Sequence, residues 1–383
     1  MLKQADVIVI GAGVAGTSCA LQLAKQGHRT ILLDRQAFPR HKTCGEFMSP
    51  ETREMLNYLG VELLVQEVNP TIMDHAKIVM PHGGEITAPL PGQATGISRY
   101  ELDRILHEKA TSMGVEIVTG ITVTNIHKRG DHHYEVNTKQ GKESARYEAR
   151  VIIGAYGTKR PQGVASPDGY RDDTVYVGVK SHYSGLNVTS RVELYFCTGG
   201  YVGISPIENG TVNVAALLSL NSVRGSGKSV PEILRAASST NKRLADRMAE
   251  GEPVPGTQVS IAPLRLSNTP EPWSQYPHIG DAMLMLPPLC GDGMSVALRS
   301  AWLCSVWTNK YLNEEISFDE WKQQYTDEAN RTFGQLVRRA RRIQSLAFAR
   351  TNRFYPRIAR MMPGLATYIV KATRLSEMDI ATR

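Results

Sequence analysis

Two short apolar runs, residues 7–10 and 31–33, are each followed by a residue type that often ends a strand. An unbroken apolar run of this length predicts a strand buried on both faces, as in a parallel sheet. Between the runs, residues 20–24 place apolar side chains at the spacing of one helix face. The pattern therefore predicts a strand–helix–strand unit over residues 6–33.

The same alternation of helix and strand returns further along the chain. Ser98 is a suitable N-cap for a helix running to about residue 113, and residues 115–118 have the pattern of a strand. Ser49 and Pro50 predict the cap and the first position of another helix. Further strands are predicted at residues 121–127, 134–137 and 151–153.

Two other parts of the chain alternate apolar and polar residues, which is typical of antiparallel strands. Residues 76–97 form short alternating runs broken by Gly83-Gly84 and Pro91-Gly92, as in hairpins. The second part has its alternating runs at residues 175–180, 192–196, 201–206 and 212–218. Helices are expected at about residues 230–245, at about residues 294–307, and repeatedly from residue 318 onward.

The fold class predicted from these patterns is α/β: a Rossmann-like domain with an inserted antiparallel-sheet domain and a C-terminal helical segment. We expect the first domain to be discontinuous. The expected residues are 1–75, 98–160 and 270–317 for the first domain, 76–97 and 161–269 for the inserted domain, and 318–383 for the basic C-terminal segment.

The composition, with 42% apolar and 21% charged residues, is that of an ordinary globular protein. No apolar run approaches the roughly 20 residues of a membrane helix. The N-terminal run passes at once into a turn, so a signal peptide is not expected and a cytosolic location is. The five cysteines lack the spacing of metal ligands, so no zinc or iron–sulfur site is expected.

Positive charge is concentrated near the C-terminus. The net charge is +7, yet residues 331–374 alone hold eleven Lys and Arg residues and no Asp or Glu. Apolar residues recur there at helical spacing, and arginines fill the other faces, which predicts a basic amphipathic helix. Such a helix packs on its own protein, or it meets an anionic membrane surface or an acidic acyl carrier. Nucleic acid is not an expected partner.

The turn after the first strand carries the chemistry of a dinucleotide site. Gly11 permits a tight turn, Gly13 permits close approach of a pyrophosphate, and Gly16 permits close packing of the helix on the strand. Asp34 ends the second strand, where its carboxylate would accept hydrogen bonds from a ribose. The alternative is a glycine-rich turn that binds nothing.

Taken together, this turn and three later motifs resemble those of the flavoprotein superfamily of aromatic-ring hydroxylases and geranylgeranyl reductases. The motifs are Arg99-x-x-x-Asp103-x-x-Leu106, Gly280-Asp281-Ala282, and the Pro-Pro…Gly-x-Gly turn of residues 287–293. The resemblance implies FAD as the dinucleotide, with NADH or NADPH as the electron donor. It assigns the cofactor to Gly11, Gly13, Val14, Ala15, Gly16, Asp34, Arg35, Lys42, Cys44, Arg99, Asp103, Gly157, Gly280, Asp281, Pro288, Gly291, Gly293 and Met294. The catalytic candidates are Cys44, Pro288 and Gly291, and no metal ligand is assigned.

These motif residues also have structural interpretations. Arg99 and Asp103 lie four residues apart and fit a surface ion pair. Asp281 fits a residue that closes a turn, and Asp292 fits a helix cap. In the functional interpretation, the N-terminus of the helix after residue 293 faces the pyrimidine end of the flavin and stabilises negative charge on it.

The chain departs from both branches of the superfamily. Lys42-Thr43-Cys44-Gly45 resembles the reductases, in which that cysteine sits near the flavin, whereas Pro287-Pro288 resembles the hydroxylases. Cys44 is then a proton donor, a pocket wall, or an inert cysteine. Tyr156 stands where hydroxylases have Asp, at an element tied to both FAD and NADPH. Residues 201–206 lack the tryptophans of the related flavin halogenases, which disfavours halogenation.

The function implied is an FAD-dependent oxidoreductase, with three activities to consider. The first is an NAD(P)H-dependent monooxygenase that hydroxylates a hydrophobic aromatic or polyketide-like substrate through a flavin hydroperoxide. The second is a carbon–carbon double-bond reductase of an isoprenoid or similar lipid, with Cys44 or a nearby acid as proton donor. The third is a flavin-binding redox sensor without turnover.

Overall fold

The central strand of the first sheet is β1 (Leu2–Ile10), in a computed structural model that describes residues 2–130, 133–161, 174–372 and 374–375. Its partners are β2 (Thr30–Leu33), β6 (Glu116–Val118), β7 (Thr122–Lys128), β8 (Tyr134–Gln140) and β9 (Glu143–Gly154). The strand order is β6-β2-β1-β9-β8-β7. The first four strands are parallel, and β8 and β7 continue the sheet in antiparallel fashion. The predicted parallel α/β core is therefore confirmed.

Both faces of β1 are buried because its successive apolar side chains point to opposite sides. Val7 and Val9 join a core with the helices α1 (Val14–Lys25), α4 (Arg99–Ser112) and α7 (Gly293–Leu312). Ile8 and Ile10 join a second core on the other face, which includes Tyr134 and Tyr276. Two short helices, α2 (Thr52–Leu59) and α3 (Glu62–Glu67), complete the helical side.

The second sheet has nine strands and is antiparallel except for one pair. Its strands are β3 (Phe47–Met48), β4 (Thr71–Val79), β5 (Glu85–Gly96), β10 (Tyr176–Ser184), β11 (Arg191–Cys197), β12 (Gly200–Pro206), β13 (Val212–Ser219), β14 (Glu252–Pro253) and β15 (Val259–Leu264). The order is β14-β10-β13-β12-β11-β4-β5-β3, with β15 on β10. Helices α5 (Val230–Ser238) and α6 (Lys242–Met248) pack on this sheet. The predicted antiparallel sheet is confirmed, and the parallel pair is β11 with β4.

The C-terminal segment consists of helices wherever the structure describes it. They are α8 (Phe318–Ala347), a 3₁₀ turn (Arg350–Phe354), α9 (Tyr355–Met361) and α10 (Pro363–Ala372). Ser317 and Glu320 form a capping box at the start of α8. Phe333, Leu336 and Val337 are buried in the first core, so this part of the basic amphipathic helix packs on its own protein.

Some local predictions were wrong, for identifiable reasons. The helix predicted from Pro50 begins at Thr52, because the Ser49 carbonyl accepts hydrogen bonds from the Thr52 N–H and hydroxyl. The helix predicted over 230–245 is divided into α5 and α6, because the Asn241 side chain caps a new helix. The expected spans of the inserted domain and of the C-terminal segment include residues 162–173, 373 and 376–383, which lie outside the described residues.

Candidate functional site

A cavity of about 930 Å³ is lined by residues of both sheets and of the C-terminal helices. It begins where β1 and β2 end, at the carboxyl edge of the parallel strands, which is where open α/β sheets bind ligands. Of the predicted site residues, only Gly16 and Asp103 do not line it. The residues that do are Gly11, Gly13, Val14, Ala15, Asp34, Arg35, Lys42, Cys44, Arg99, Gly157, Gly280, Asp281, Pro288, Gly291, Gly293 and Met294.

Two glycines of the first turn are required by close packing. Gly11 has a φ of 111°, and a Cβ there would lie 2.3 Å from the carbonyl oxygen of Ala155. A Cβ on Gly16 would lie 1.8 Å from the carbonyl oxygen of Gly11. The start of α1 is therefore packed closely on the end of β1, and the N-terminus of α1 lies at the cavity.

Gly13 is different because it faces open space next to two cations. A Cβ there would have as its nearest neighbours Nη2 of Arg99 at 3.6 Å and Nζ of Lys42 at 3.9 Å. Gly13 is the N-cap residue of α1, and no side chain among the described residues caps this N-terminus. Burial, and then the charge of Arg99, lower the pKa of Lys42. A helix N-terminus, an arginine and a lysine thus converge on one point, a strong site for a pyrophosphate.

Arg99 and Asp103 form a buried bidentate pair, so the alternative interpretation of these residues as a surface ion pair is wrong. Their side chains are 6% and 0% exposed, and Nη2 of Arg99 lies 2.9 Å from both carboxylate oxygens of Asp103. Burial lowers the pKa of Arg99, but Asp103 outweighs burial and the pKa is raised. Asp103 itself lies behind Arg99, and its role in the structure is to hold that guanidinium in place.

Asp34 closes the end of β2 against the glycine turn. Its carboxylate accepts hydrogen bonds from the Ala12 N–H at 2.8 Å and from the Gln36 N–H at 2.8 Å. The side chain lines the cavity, and carboxylate oxygens have lone pairs beyond these two bonds. Asp34 is therefore fixed in orientation and able to accept from a ribose hydroxyl.

A second helix N-terminus faces the same cavity. The helix α7 follows a 3₁₀ turn (Pro288–Cys290), and Gly291 has a φ of 74°. A Cβ on Gly291 would lie 2.9 Å from a ring carbon of Phe47, which explains why the turn needs glycine there. Gly280 forms the start of another short turn, with a φ of 59° and with Asp281 beside it. Asp281 thus both belongs to a turn and lines the cavity.

Asp292 is the N-cap residue of α7, but its side chain makes no capping hydrogen bond, contrary to expectation. Its Oδ1 accepts a hydrogen bond from Nη1 of Arg374 at 2.6 Å, while Oδ2 is buried without a partner among the described residues. Burial raises the pKa of Asp292 to about 7 although Arg374 opposes this. Arg374 also lines the cavity, and no pattern in the sequence predicts its contact with Asp292.

Cys44 is half-buried and lines the cavity. Its Sγ accepts a hydrogen bond from the Glu46 N–H at 3.4 Å, and its carbonyl accepts one from Nδ2 of Asn213 at 3.0 Å. The loop of residues 42–46 is therefore tied to the second sheet. A thiol held in this way can donate or accept a proton inside the cavity.

Behind this loop lies a buried charged cluster that sequence reasoning missed. Oε1 of Glu46 lies 2.7 Å from Nζ of Lys180, and Oε2 lies 2.6 Å from Nε2 of His182. The Arg99 N–H also donates to Oε1, at 2.9 Å. Burial and the neighbouring Lys180 and His182 lower the pKa of His41 to about 4. The signal in the sequence was the polar run Lys180-Ser181-His182 within β10, whose first four residues are Tyr, Val, Gly and Val.

The far part of the cavity is an apolar chamber between the second sheet and the C-terminal helices. It is lined mainly by aliphatic side chains, among them Ile78, Met80, Leu194, Leu217, Leu264, Met285 and Leu289. Tyr201 is an exception, because its hydroxyl is buried and has no hydrogen-bond partner among the described residues. A buried hydroxyl that lines a cavity can donate to an oxygen of a bound molecule.

Tyr156, which replaces the acid of the hydroxylases, is held by a neighbour. Its hydroxyl lies 2.9 Å from Nε2 of His278, and burial lowers the pKa of that histidine to about 4.

The residues that line the cavity fit FAD. Two helix N-termini, two cations and a backbone-anchored carboxylate line one cavity, with glycine where a side chain would fill the pyrophosphate space. Among the described residues, no cluster suited to a metal ion is found.

Comparisons with known proteins agree with this fit. Residues 4–169 match the family model described as an FAD binding domain. Menaquinone reductase of Mycobacterium tuberculosis is 26% identical over 79% of this chain and 76% of its own length. Digeranylgeranylglycerophospholipid reductase 3 of Methanosphaera stadtmanae is 24% identical over 85% of this chain and 82% of its own. The flavin-dependent brominase Bmp2 has the same fold, with a TM-score of 0.83, 20% identity and coverage of 97% of this chain and 93% of that chain.

Proposed function

We propose that this protein, whose residues 4–169 match an FAD binding domain, is an FAD-dependent oxidoreductase that hydroxylates a long hydrophobic substrate carrying a polar oxygen. The observation that supports this proposal is the shape of the cavity. Its polar part, at the ends of β1 and β2, is continuous with an apolar chamber lined by Tyr201, whose buried hydroxyl has no hydrogen-bond partner among the described residues.

In this proposal the first sheet and its helices form the FAD-binding domain, and the second sheet forms the substrate domain. Gly13, Lys42 and Arg99 hold the pyrophosphate, and Asp34 holds the ribose. Pro288, Gly291, Gly293 and Met294 border the ring system. When bound, FAD would supply the electrons received from NADH or NADPH and would activate molecular oxygen.

The residues that line the chamber exclude water and orient the substrate. Aliphatic walls exclude water, which would otherwise divert the activated oxygen to peroxide. The Tyr201 hydroxyl donates a hydrogen bond to a phenol or ketone oxygen, which fixes one end of the substrate. The rest of a long substrate lies along the aliphatic walls, where burial of each CH₂ stabilises the complex by about 0.8 kcal/mol.

The experiment is oxygen consumption by the FAD-loaded protein with NADH or NADPH and a series of 4-alkylphenols of increasing chain length. We expect one oxygen molecule consumed per hydroxylated product, with KM falling as the chain lengthens. Tyr201→Phe retains the ring and removes the hydroxyl, so it should raise KM for the phenols while FAD binding is unchanged. A product that forms equally well without oxygen would rule out hydroxylation.

A second candidate function is reduction of a carbon–carbon double bond in a lipid. It is favoured by Cys44, a thiol in the cavity at the loop that resembles the reductases, and by the likeness to two proteins named as reductases. In this reaction reduced FAD, when bound, would supply a hydride to one carbon of the double bond, and Cys44 would supply the proton to the other. Anaerobic conversion of a polyprenyl substrate, with Cys44→Ser inactive, would establish it in place of hydroxylation.

A further inference from the structure

The apolar chamber ends at the C-terminal helices. Leu346 of α8, Ile358 of α9, and Leu365, Ala366, Ile369 and Val370 of α10 line it. The helix α10 packs along β5, and α9 lies against the hairpin turn that joins β4 to β5. A Cβ on Gly84 in that turn would lie 2.6 Å from Cγ of Pro356. Helices α9 and α10 therefore form the wall that separates the chamber from the outside.

The outer side of this wall is unusually apolar. Met361 is 83% exposed, Tyr368 is 70% exposed and Met362 is 57% exposed. Phe354 is also exposed, at the start of α9. Large apolar side chains grouped at one exposed place indicate a surface that meets a partner or a membrane.

Positively charged residues accompany these apolar residues along the chain. Arg353, Arg357, Arg360 and Lys371 are exposed on the same helical segment. No carboxylate of the described residues forms an ion pair with any of these four side chains, and residues 331–374 contain no Asp or Glu. The surface of α9 and α10 therefore combines insertable side chains with positive charge that is not neutralised within the segment.

We propose that the surface of α9 and α10 docks on an anionic lipid bilayer. Met361, Met362 and Tyr368 would lie at the boundary of headgroups and acyl chains, and the arginines would contact lipid phosphates. This combination is what an interfacial amphipathic segment requires. An acidic carrier protein would satisfy the cations but would leave the methionines without an apolar environment, so the bilayer fits the whole surface better.

Docking at this place gives a substrate a direct route. A lipid-soluble molecule would pass from the bilayer between α9 and α10 into the chamber that they line, without crossing water. This route rests on the proposed function, because it assumes a hydrophobic substrate. The docking itself does not depend on the proposed function, because vesicle binding is measured without turnover.

The test is cosedimentation of the FAD-loaded protein with phosphatidylcholine vesicles that do or do not contain phosphatidylglycerol. We expect binding to the anionic vesicles at low salt, and binding at least about tenfold weaker at high salt, since screening acts on the charged part. Arg357→Glu/Arg360→Glu should weaken binding by about tenfold or more. Lys139→Glu/Lys142→Glu, on the exposed β8–β9 hairpin, makes the same charge change on the other sheet and should bind like the wild type.

Met361→Ser/Tyr368→Ser tests insertion without changing charge. We expect this double variant to weaken vesicle binding at every salt concentration. Its flavin absorbance spectrum should remain as in the wild type, because neither residue lines the cavity. The proposal is overturned if anionic vesicles do not bind at low salt, or if binding is unchanged at high salt. It is also overturned if both control lysines matter as much as the two arginines. Binding of an acidic acyl carrier protein in the absence of vesicle binding would assign the surface to that partner instead.

Discussion

Glu46 and Lys180 form an ion pair of 2.7 Å in which neither side chain is exposed to solvent. Glu46 has a φ of 54°, in the left-handed region that non-glycine residues rarely adopt. The pair joins the cavity loop of residues 42–46 to β10 of the second sheet. It therefore fixes the position of Cys44, two residues before Glu46, relative to the apolar chamber.

Removing the lysine of this pair should destabilise the protein strongly. Lys180→Met leaves the buried Glu46 carboxylate without its cation, which typically costs about 3–5 kcal/mol. Lys242→Met is the control, because Lys242 pairs with Asp246 at an exposed site and its loss should cost under about 1 kcal/mol. Urea unfolding measures both. Equal stability of the two variants would mean that the buried pair contributes nothing.

Glu46 should also make stability fall in acid. Burial raises the pKa of its carboxyl, but the hydrogen bond from His182 and the charge of Lys180 outweigh burial, so the folded-state pKa is lowered. A lowered acid pKa gives stability that is present above the unfolded value, about 4.3, and is lost as pH falls through the folded value. Unfolding of wild type and Glu46→Gln between about pH 6 and pH 3 checks this. The difference in stability between them should shrink toward the acid end, and a constant difference would contradict the prediction.

The glycine turn and Asp34 were predictable from the sequence, whereas the buried Glu46–Lys180 pair was not, for a physical reason. Gly11, Gly13, Gly16 and Asp34 are close in sequence, and their spacing reports a local turn whose geometry any such unit must adopt. Glu46 and Lys180 are 134 residues apart, so no local periodicity connects them. The same holds for Asp292 and Arg374, which are 82 residues apart. The helix start predicted at Pro50 was misplaced because a turn closed by the Ser49 carbonyl precedes the helix, which begins at Thr52.

Gly13→Val should abolish FAD binding and leave the apoprotein folded. The backbone at Gly13 is extended, and its Cβ position is free of close contacts, but a side chain there would occupy the space in front of Arg99 and Lys42. Flavin content after purification should fall about tenfold or more, with an unchanged thermal transition of the apoprotein. Gly16→Val is the contrast, since its Cβ would meet the Gly11 carbonyl at 1.8 Å and prevent folding. Normal flavin content in Gly13→Val would place the cofactor elsewhere.

Cys44→Ser should retain FAD but slow the reaction with substrate. Serine matches cysteine in size, so the loop keeps its hydrogen bonds to Glu46 and Asn213, while the thiol is lost. We expect FAD affinity within about twofold of the wild type and single-turnover rates about tenfold lower. Cys197→Ser, at a buried position of β11 that does not line the cavity, serves as the control. Identical rates for the wild type and both variants would mean that Cys44 only lines the cavity and takes no part in the reaction.

Asp292 should make the reduction potential of the bound flavin depend on pH near neutrality. Burial raises its pKa to about 7, so the carboxyl is neutral below that pH and becomes charged above it. The charge forms at the N-terminus of α7, where it offsets part of the positive end of the helix dipole that faces the cavity proposed to hold the flavin. Negative charge on the reduced flavin is then less stabilised, so the midpoint potential should fall more steeply between about pH 6 and pH 8 in the wild type than in Asp292→Asn. Arg374→Met removes the one partner that lowers this pKa, so the steep region should move to higher pH. Parallel curves for the wild type and Asp292→Asn would show that the carboxyl does not titrate in this range, or that α7 does not face the ring.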